Sequence, residues 1–329
     1  NNTIIENATL IEKDGKILNI GTGIKIPENS IINDLAGKYI YPSFIEIHSS
    51  FGIKNPQRNS RSRSSQYEPS RKGYYWNDHI LSDYNSMKDY TYSQRDAKGL
   101  RDIGFGVVNS HRSNGVHRGT SFTIGLIDNQ NESYRIISDK TAEHFSFTRS
   151  VTSNQSYPSS TMGAMALIRQ LYYDADWYSQ GISESKDLAL ESVINNRKLP
   201  KIFDANDKLN VYRAAKISEE FDLEFVIKGS GKEYENVREL KKFNNKLIIP
   251  VNFPNAFDVS NAKLNEKLTI NQLRYWNQAP ANLGILEKNG IVFSITSADL
   301  RNKRDFLKNI RKDRKSTRLN SSHQIISYA

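Results

Sequence analysis

The sequence predicts an α/β protein built as a (β/α)8 TIM-like barrel preceded by a small partial β-sandwich. Three observations carry that prediction. From residue 93 onward, short apolar runs alternate repeatedly with amphipathic stretches, the pattern of a parallel sheet with helices outside. The stretch Gly37-Lys38-Tyr39-Ile40-Tyr41-Pro42-Ser43-Phe44-Ile45-Glu46-Ile47-His48-Ser49-Ser50 leads from a Gly-Lys turn through an apolar run to polar side chains. A buried barrel strand delivers residues to its open end in this way. No Gly-x-Gly-x-x-Gly follows a strand, Gly229-Ser230-Gly231 being too short a match, which removes the main reason to prefer a dinucleotide-binding sheet.

The elements follow in order. Residues 8–12 and 16–20 are short strands joined through Asp14-Gly15, a tight-turn signal, and residues 31–35 supply a further strand of the small β unit. Residues 54–92 form a long polar insertion, with the Ser/Arg-rich segment 59–65 and then Tyr74-Tyr75-Trp76. This composition cannot fold alone and reads as a surface loop pinned by aromatic rings. Residues 93–103 are helical, and the second strand, 105–109, ends near His111. Residues 115–127, 134–137 and 145–148 read as an excursion of short strands in which His117 and Arg118 are loop residues.

Ser160 or Thr161 caps a long helix, 162–178, with Met165, Leu167, Ile168 and Leu171 at helical spacing. Strands then fall at 199–203, 223–228, 246–251 and 291–295, and helices at 208–221, 232–243, 271–278 and 281–289. Three regions result: a β unit at 1–41, a barrel at 42–312 and a tail at 313–329. The tail from Asp313 to Ala329 reads like a translated sequencing adapter and is set aside as artefact. The natural chain is accordingly expected to continue beyond Lys312.

At 329 residues and 37% hydrophobic, the chain can bury a full core. No apolar run reaches the roughly 18 to 20 residues that a membrane helix needs, so no membrane span is expected. The chain starts at Asn1 rather than Met, which leaves the compartment open between cytoplasm and export. The absence of Cys excludes disulfides and thiolate chemistry. A net charge of +10 raises nucleic acid as a partner, but part of the excess sits in residues 58–72 and part in the tail, neither with a nucleic-acid motif. A solvated basic surface accounts for it.

The stretch from Gly37 to Ser50 resembles the opening strand of the amidohydrolase superfamily, which reads Gly-Lys, a few residues, Pro-Gly-Phe-Ile-Asp, one residue, then His-x-His. Ser43 stands for the Gly, Glu46 for the Asp and Ser50 for the second His, so His48 alone of that pair is present. Ser159-Ser160-Thr161-Met162-Gly163-Ala164-Met165-Ala166-Leu167-Ile168-Arg169-Gln170 is similar to the Ser-rich segment, Met-Gly and helix of the imidazolonepropionase-like and dipeptidase-like branches. Together these cover residues 1 to about 312, and they imply hydrolysis of amide or cyclic C–N bonds in a small-molecule substrate. Zinc or a similar ion would polarise the carbonyl and generate hydroxide near neutral pH.

The family takes further ligands from a Lys or Glu on strand four, His residues on strands five and six, and an Asp on strand eight. Matched by order, Asp204 takes the strand-five place, Lys228 the strand-six place, and Asp299 stands one residue past the strand-eight place at Ala298. The resemblance therefore implies a degenerate, metal-poor barrel without a cofactor of its own, one half of a longer bacterial hydrolase whose second domain beyond Lys312 is its partner. Two alternatives stand beside it. One is a mononuclear metal hydrolase using His48, Asp204 and Asp299, with Asp299 handling protons and zinc as the ion. The other is a non-catalytic barrel whose Tyr74-Tyr75-Trp76 loop and Ser-rich rim hold a sugar or peptide-like ligand, with Trp76, His111 and Lys228 as the ligand-binding residues. His79, His111 and His144 show no ligand spacing along the chain. Asp204 and Lys228, on adjacent strands, are expected to pair and fill the space of the missing metal.

Overall fold

The computed structural model describes residues 4–54, 56–58, 73–128, 132–257 and 266–317. The Ser/Arg-rich segment 59–65 and residues 318–329 of the tail, His323 included, lie outside the described residues. The chain divides into two compact units, Asn1–Pro42 and Ser43–Ala329.

In the first unit, β1 (Thr9–Lys13) and β2 (Lys16–Gly21) pair antiparallel. Asp14 and Gly15 turn the chain between them at φ of 53° and 75°, the left-handed pair that a two-residue hairpin turn demands. The expected further strand at 31–35 is not formed: these residues pair with no strand among the described residues, and Ile31 is 92% exposed. The partial sandwich is thus a single hairpin as described. An apolar run becomes a strand only when a neighbour takes up its backbone N–H and C=O groups, and alternation in the sequence does not supply that neighbour.

The second unit is α/β, as expected, but its ladders do not close into an eight-stranded barrel. One sheet runs in the order β12-β11-β10-β9-β8-β5 and the other β3-β4-β6-β7. In the first, β8 (Glu143–Ser146), β9 (Lys201–Asp204), β10 (Phe225–Lys228), β11 (Leu247–Pro250) and β12 (Phe293–Thr296) are parallel and in chain order. In the second, β3 (Phe44–Ser49) and β4 (Phe105–Ser110) are parallel. The excursion explains the break. β5 (His117–Thr120) lies antiparallel on β8, while β6 (Phe122–Gly125) lies antiparallel on β4 and carries β7 (Ile136–Ser138) at its edge. Residues 117–125 therefore occupy the space between β4 and β8 that another parallel strand would fill. Residues 145–148 are expected as part of the excursion, but Phe145 and Ser146 belong to β8 of the main parallel sheet.

The other seam is crossed by a side chain. The buried carboxylate of Glu46 on β3 accepts hydrogen bonds from the Ser297 amide at 2.7 Å, the Ser297 hydroxyl at 2.5 Å and the Thr296 hydroxyl, all at the end of β12.

Helices cover the parallel sheet between strands. Helix α1 (Gln94–Arg101) precedes β4, and α2 (Thr161–Tyr178) starts at Ser160, whose hydroxyl accepts from the Gly163 amide at 3.2 Å. Leu167, Ile168 and Leu171 of α2 are fully buried, each worth roughly 1.5 to 3 kcal/mol against exposure. Helix α3 (Leu188–Asn195), not anticipated, is capped by Asp187, and α4 (Lys208–Glu220) by Asp207. The helix expected over 232–243 shrinks to a 3-10 turn followed by α5 (Val237–Leu240). After β11 come α6 (Ile270–Gln278) and α7 (Asn282–Lys288). Helix α8 (Phe306–Thr317) follows β12, running past the expected boundary at 312, and Asp313 within it is buried. Phe145, Phe203 and Phe225 on three adjacent strands stack at 5.4 to 6.3 Å in the core. No helix among the described residues is long and apolar enough to cross a membrane.

Candidate metal centre

Three histidines meet, two at the carboxyl ends of β3 and β4 and one within β8. His48 is near the end of β3, His111 follows β4 directly, and its amide donates to the Ser49 carbonyl at 2.9 Å, which ties the two strand ends together. His144 is the second residue of β8. The rings of His111 and His144 stack with centroids 3.8 Å apart, and His48 lies 4.4 Å from His111 and 5.9 Å from His144. One nitrogen from each ring lies within 4.8 Å of the others, and all three residues are buried.

These rings satisfy little of their own hydrogen-bonding capacity. Nδ1 of His48 and both nitrogens of His111 and His144 are buried without a hydrogen-bond partner. A buried polar atom in that state costs about 1 to 3 kcal/mol, so the cluster is an expensive arrangement unless something else binds it. Burial also holds the rings neutral. It lowers the pKa of His48 to about 4, against the opposing charge of Asp204. For His111 and His144 it acts together with the neighbouring imidazoles and Arg118, and both fall well below the ordinary histidine value. Neutral imidazoles offer lone pairs, the form in which histidine binds metal. Three such nitrogens within 4.8 Å of one another are candidate ligands for a zinc-like ion, which takes imidazole nitrogen at about 2.0 to 2.1 Å.

His48 is where it was expected, but its companions are His111 and His144, not Asp204 and Asp299. Histidines 48, 111 and 144 show no local spacing because three different strands carry them. His111 carries the same signal as His48, an apolar run, Val107-Val108, passing through polar residues into a histidine, and the sequence offers it as a ligand-binding residue and not as a partner of His48. His144 was hidden because residues 145–148 were read as part of the excursion. His79 stays outside the cluster, its Nδ1 accepting from the Ser150 amide at 2.8 Å.

Asp204 and Lys228 end the paired strands β9 and β10 in register and form the expected ion pair, Nζ to Oδ1 at 3.3 Å. Arg118, expected as a loop residue, is the last-but-two residue of β5 and binds the other oxygen of Asp204 at 3.1 Å. Lys228 also reaches Asp299 at 2.5 Å. Burial opposes ionisation of Asp204, yet Arg118, His48 and Lys228 outweigh it and hold the carboxyl well below its ordinary range. Burial likewise disfavours the charged form of Lys228, but Asp204 and Asp299 raise its pKa above the usual value. Lys228 is therefore an ammonium ion and no metal ligand. Asp299, at the left-handed φ of 63°, is half-exposed beyond β12. Trp76 lies apart from this group, beside Ser156, Tyr157 and Ser159.

With this geometry in view, the comparisons with known proteins bear on the fold. No family model matches the chain, and no curated protein matches it. Among solved structures, an amidohydrolase from Thermotoga maritima MSB8 superposes with a TM-score of 0.66 at 17% sequence identity, over 95% of this chain and 79% of that one. The chain shares the fold of that amidohydrolase.

Proposed function

We propose that the chain is a metal-dependent hydrolase of amidohydrolase type, with His48, His111 and His144 holding one divalent ion. The observation that carries this reading is the convergence of three buried, neutral and largely unpartnered imidazoles from three parallel-strand segments, two at strand ends and His144 within β8. Zinc is the favoured ion, since an all-imidazole set suits it and contains no carboxylate to favour magnesium or calcium. When bound, such an ion supplies Lewis-acid polarisation of a carbonyl and a nucleophile near neutral pH.

The protein's own residues have separable tasks. Arg118 and Lys228 keep Asp204 ionised, so its negative charge acts on His48 and His144 and favours a cation among the rings. In this reading Asp299, half-exposed and hydrogen-bonded by Lys228, takes a proton from incoming water and returns it to a leaving nitrogen. The substrate class is an amide or cyclic C–N bond in a small molecule. In this reading the site is built of its own residues, and no second domain is needed to complete the ligand set.

The test is metal analysis by plasma mass spectrometry of the purified protein and of His144→Ala. About one equivalent of zinc in the wild type and its loss in the variant are expected. Metal far below stoichiometry after reconstitution with zinc, or full retention by His144→Ala, would sink the reading.

A further inference from the structure

The buried carboxylate of Glu46 lies between the first histidine of the cluster and the turn that carries Asp299. Its Oε1 accepts from the His48 amide at 3.3 Å and from the Thr296 hydroxyl, and its Oε2 accepts from the Ser297 amide at 2.7 Å and the Ser297 hydroxyl at 2.5 Å. An ionised carboxylate offers about four acceptor sites, and these donors fill them. Glu46, His48, Thr296 and Ser297 are all buried, so an acceptor lost here is not replaced by bulk water.

From Glu46 the bonds continue toward Asp299. The Thr296 oxygen accepts from the Ala298 amide at 3.0 Å, and the Leu300 amide closes the turn on the Ser297 carbonyl at 3.4 Å. Asp299 stands inside that closed turn at a φ of 63°. Such a backbone is disfavoured for residues other than glycine and persists where the surrounding structure fixes it. The side chain of Asp299 is held in turn by Lys228, Nζ to Oδ2 at 2.5 Å. β3 and β12 are not paired in a ladder, so the carboxylate carries the hydrogen bonds between the two strand ends.

We propose that Glu46 is a positioning residue of the candidate metal centre, resting on the reading of His48 as a ligand and of Asp299 as the proton-handling group. One side chain sets the His48 end of β3 against the turn that presents Asp299. Glu46 acts through the His48 backbone on one side and through Thr296 and Ser297 on the other. A glutamine of the same size supplies one acceptor oxygen and turns an amide nitrogen toward donors. Glu46→Gln therefore keeps the volume and breaks the arrangement.

The experiment compares the wild type, Glu46→Gln, Thr296→Val and Leu171→Ala, each as the full chain. Leu171 is fully buried on α2, so its variant is destabilised by a cavity without a change at the seam. In the metal-stripped proteins, NMR of selectively labelled histidine, with His48 assigned through His48→Gln, reads where the His48 ring lies. Glu46→Gln and Thr296→Val are expected to shift the His48 ring signals, and Leu171→Ala to leave them in place. Zinc affinity, measured by chelator competition, should fall about tenfold or more in Glu46→Gln, as it does when groups that orient metal ligands are removed, and stay native in Leu171→Ala. If Glu46→Gln does not fold, Thr296→Val decides the matter, since it removes one hydroxyl and keeps the side-chain shape. His48 signals unmoved in the seam variants, signals moved equally by Leu171→Ala, or zinc affinity unchanged in Glu46→Gln would overturn the proposal. A wild type that binds no zinc would sink the metal reading alone, because the histidine signals of the metal-stripped chain decide the positioning by themselves.

Discussion

The imidazoles of His111 and His144 lie face to face, 3.8 Å between centroids and 9° from parallel, and no nitrogen of either ring has a hydrogen-bond partner. Two neutral rings gain some stacking energy in that arrangement, but not enough to offset four buried polar atoms without partners. On the proposed reading these two rings and His48 are the protein's share of a coordination sphere, and the in-plane lone pairs of two parallel rings need a rotation to meet on one ion.

Zinc should therefore stabilise the folded chain. At a free concentration 100 times the dissociation constant, linkage gives about 2.7 kcal/mol, read as a rise in melting temperature of the metal-stripped protein. His111→Ala should lose most of that rise. Equal shifts in the wild type and the variant would place the ion elsewhere.

Asp204 holds two cations, Arg118 at 3.1 Å and Lys228 at 3.3 Å. Replacing it with Ala leaves both short of an anion in a largely buried place and should cost about 3 kcal/mol in urea unfolding. Asp299 still pairs with Lys228, so Arg118 bears most of the loss. The double variant Asp204→Ala, Arg118→Met should recover part of the stability, and a double variant weaker than the single one by the full sum would argue against coupling.

Glu46 joins β3 to β12 through Thr296 and Ser297 without a backbone ladder between them. Glu46→Ala should cost about 3 kcal/mol, because a buried amide and two hydroxyls lose a common acceptor. Hydrogen exchange at the Ser297 amide reads the same event locally. Unchanged protection at Ser297 would mean that the seam is held by something else.

Burial lowers the pKa of His79 to about 4, with Arg149 adding to the effect. The unfolded chain binds a proton below about pH 6.5 and the folded chain does not until about pH 4, so stability is lost as pH falls through that window. Above pH 6.5 both states are neutral and the residue contributes nothing to the slope. The loss amounts to about 3 kcal/mol by pH 4. His79→Gln should be less stable than the wild type at pH 7.5, where the contact to Ser150 is gone, yet show a shallower decline toward pH 4. Parallel pH curves for the two proteins would count against a buried neutral His79.

The amino-acid sequence by itself determined the α/β class, the first parallel strand with His48 at its end, the capped helix after Ser160 and the pairing of Asp204 with Lys228. Each of these is written in local pattern: apolar runs, a cap three residues before an amide, two strand ends at matching places in successive units. Tertiary structure alone decided the rest. Whether residues 31–35 find a pairing neighbour, whether residues 117–125 take the place of a parallel strand, and which histidines share a centre all depend on contacts between segments distant in the chain. His48, His111 and His144 acquire a common point only when the paired strands β3 and β4 and the separate ladder that holds β8 pack together, because tertiary packing, and not sequence spacing, sets the distance between their rings.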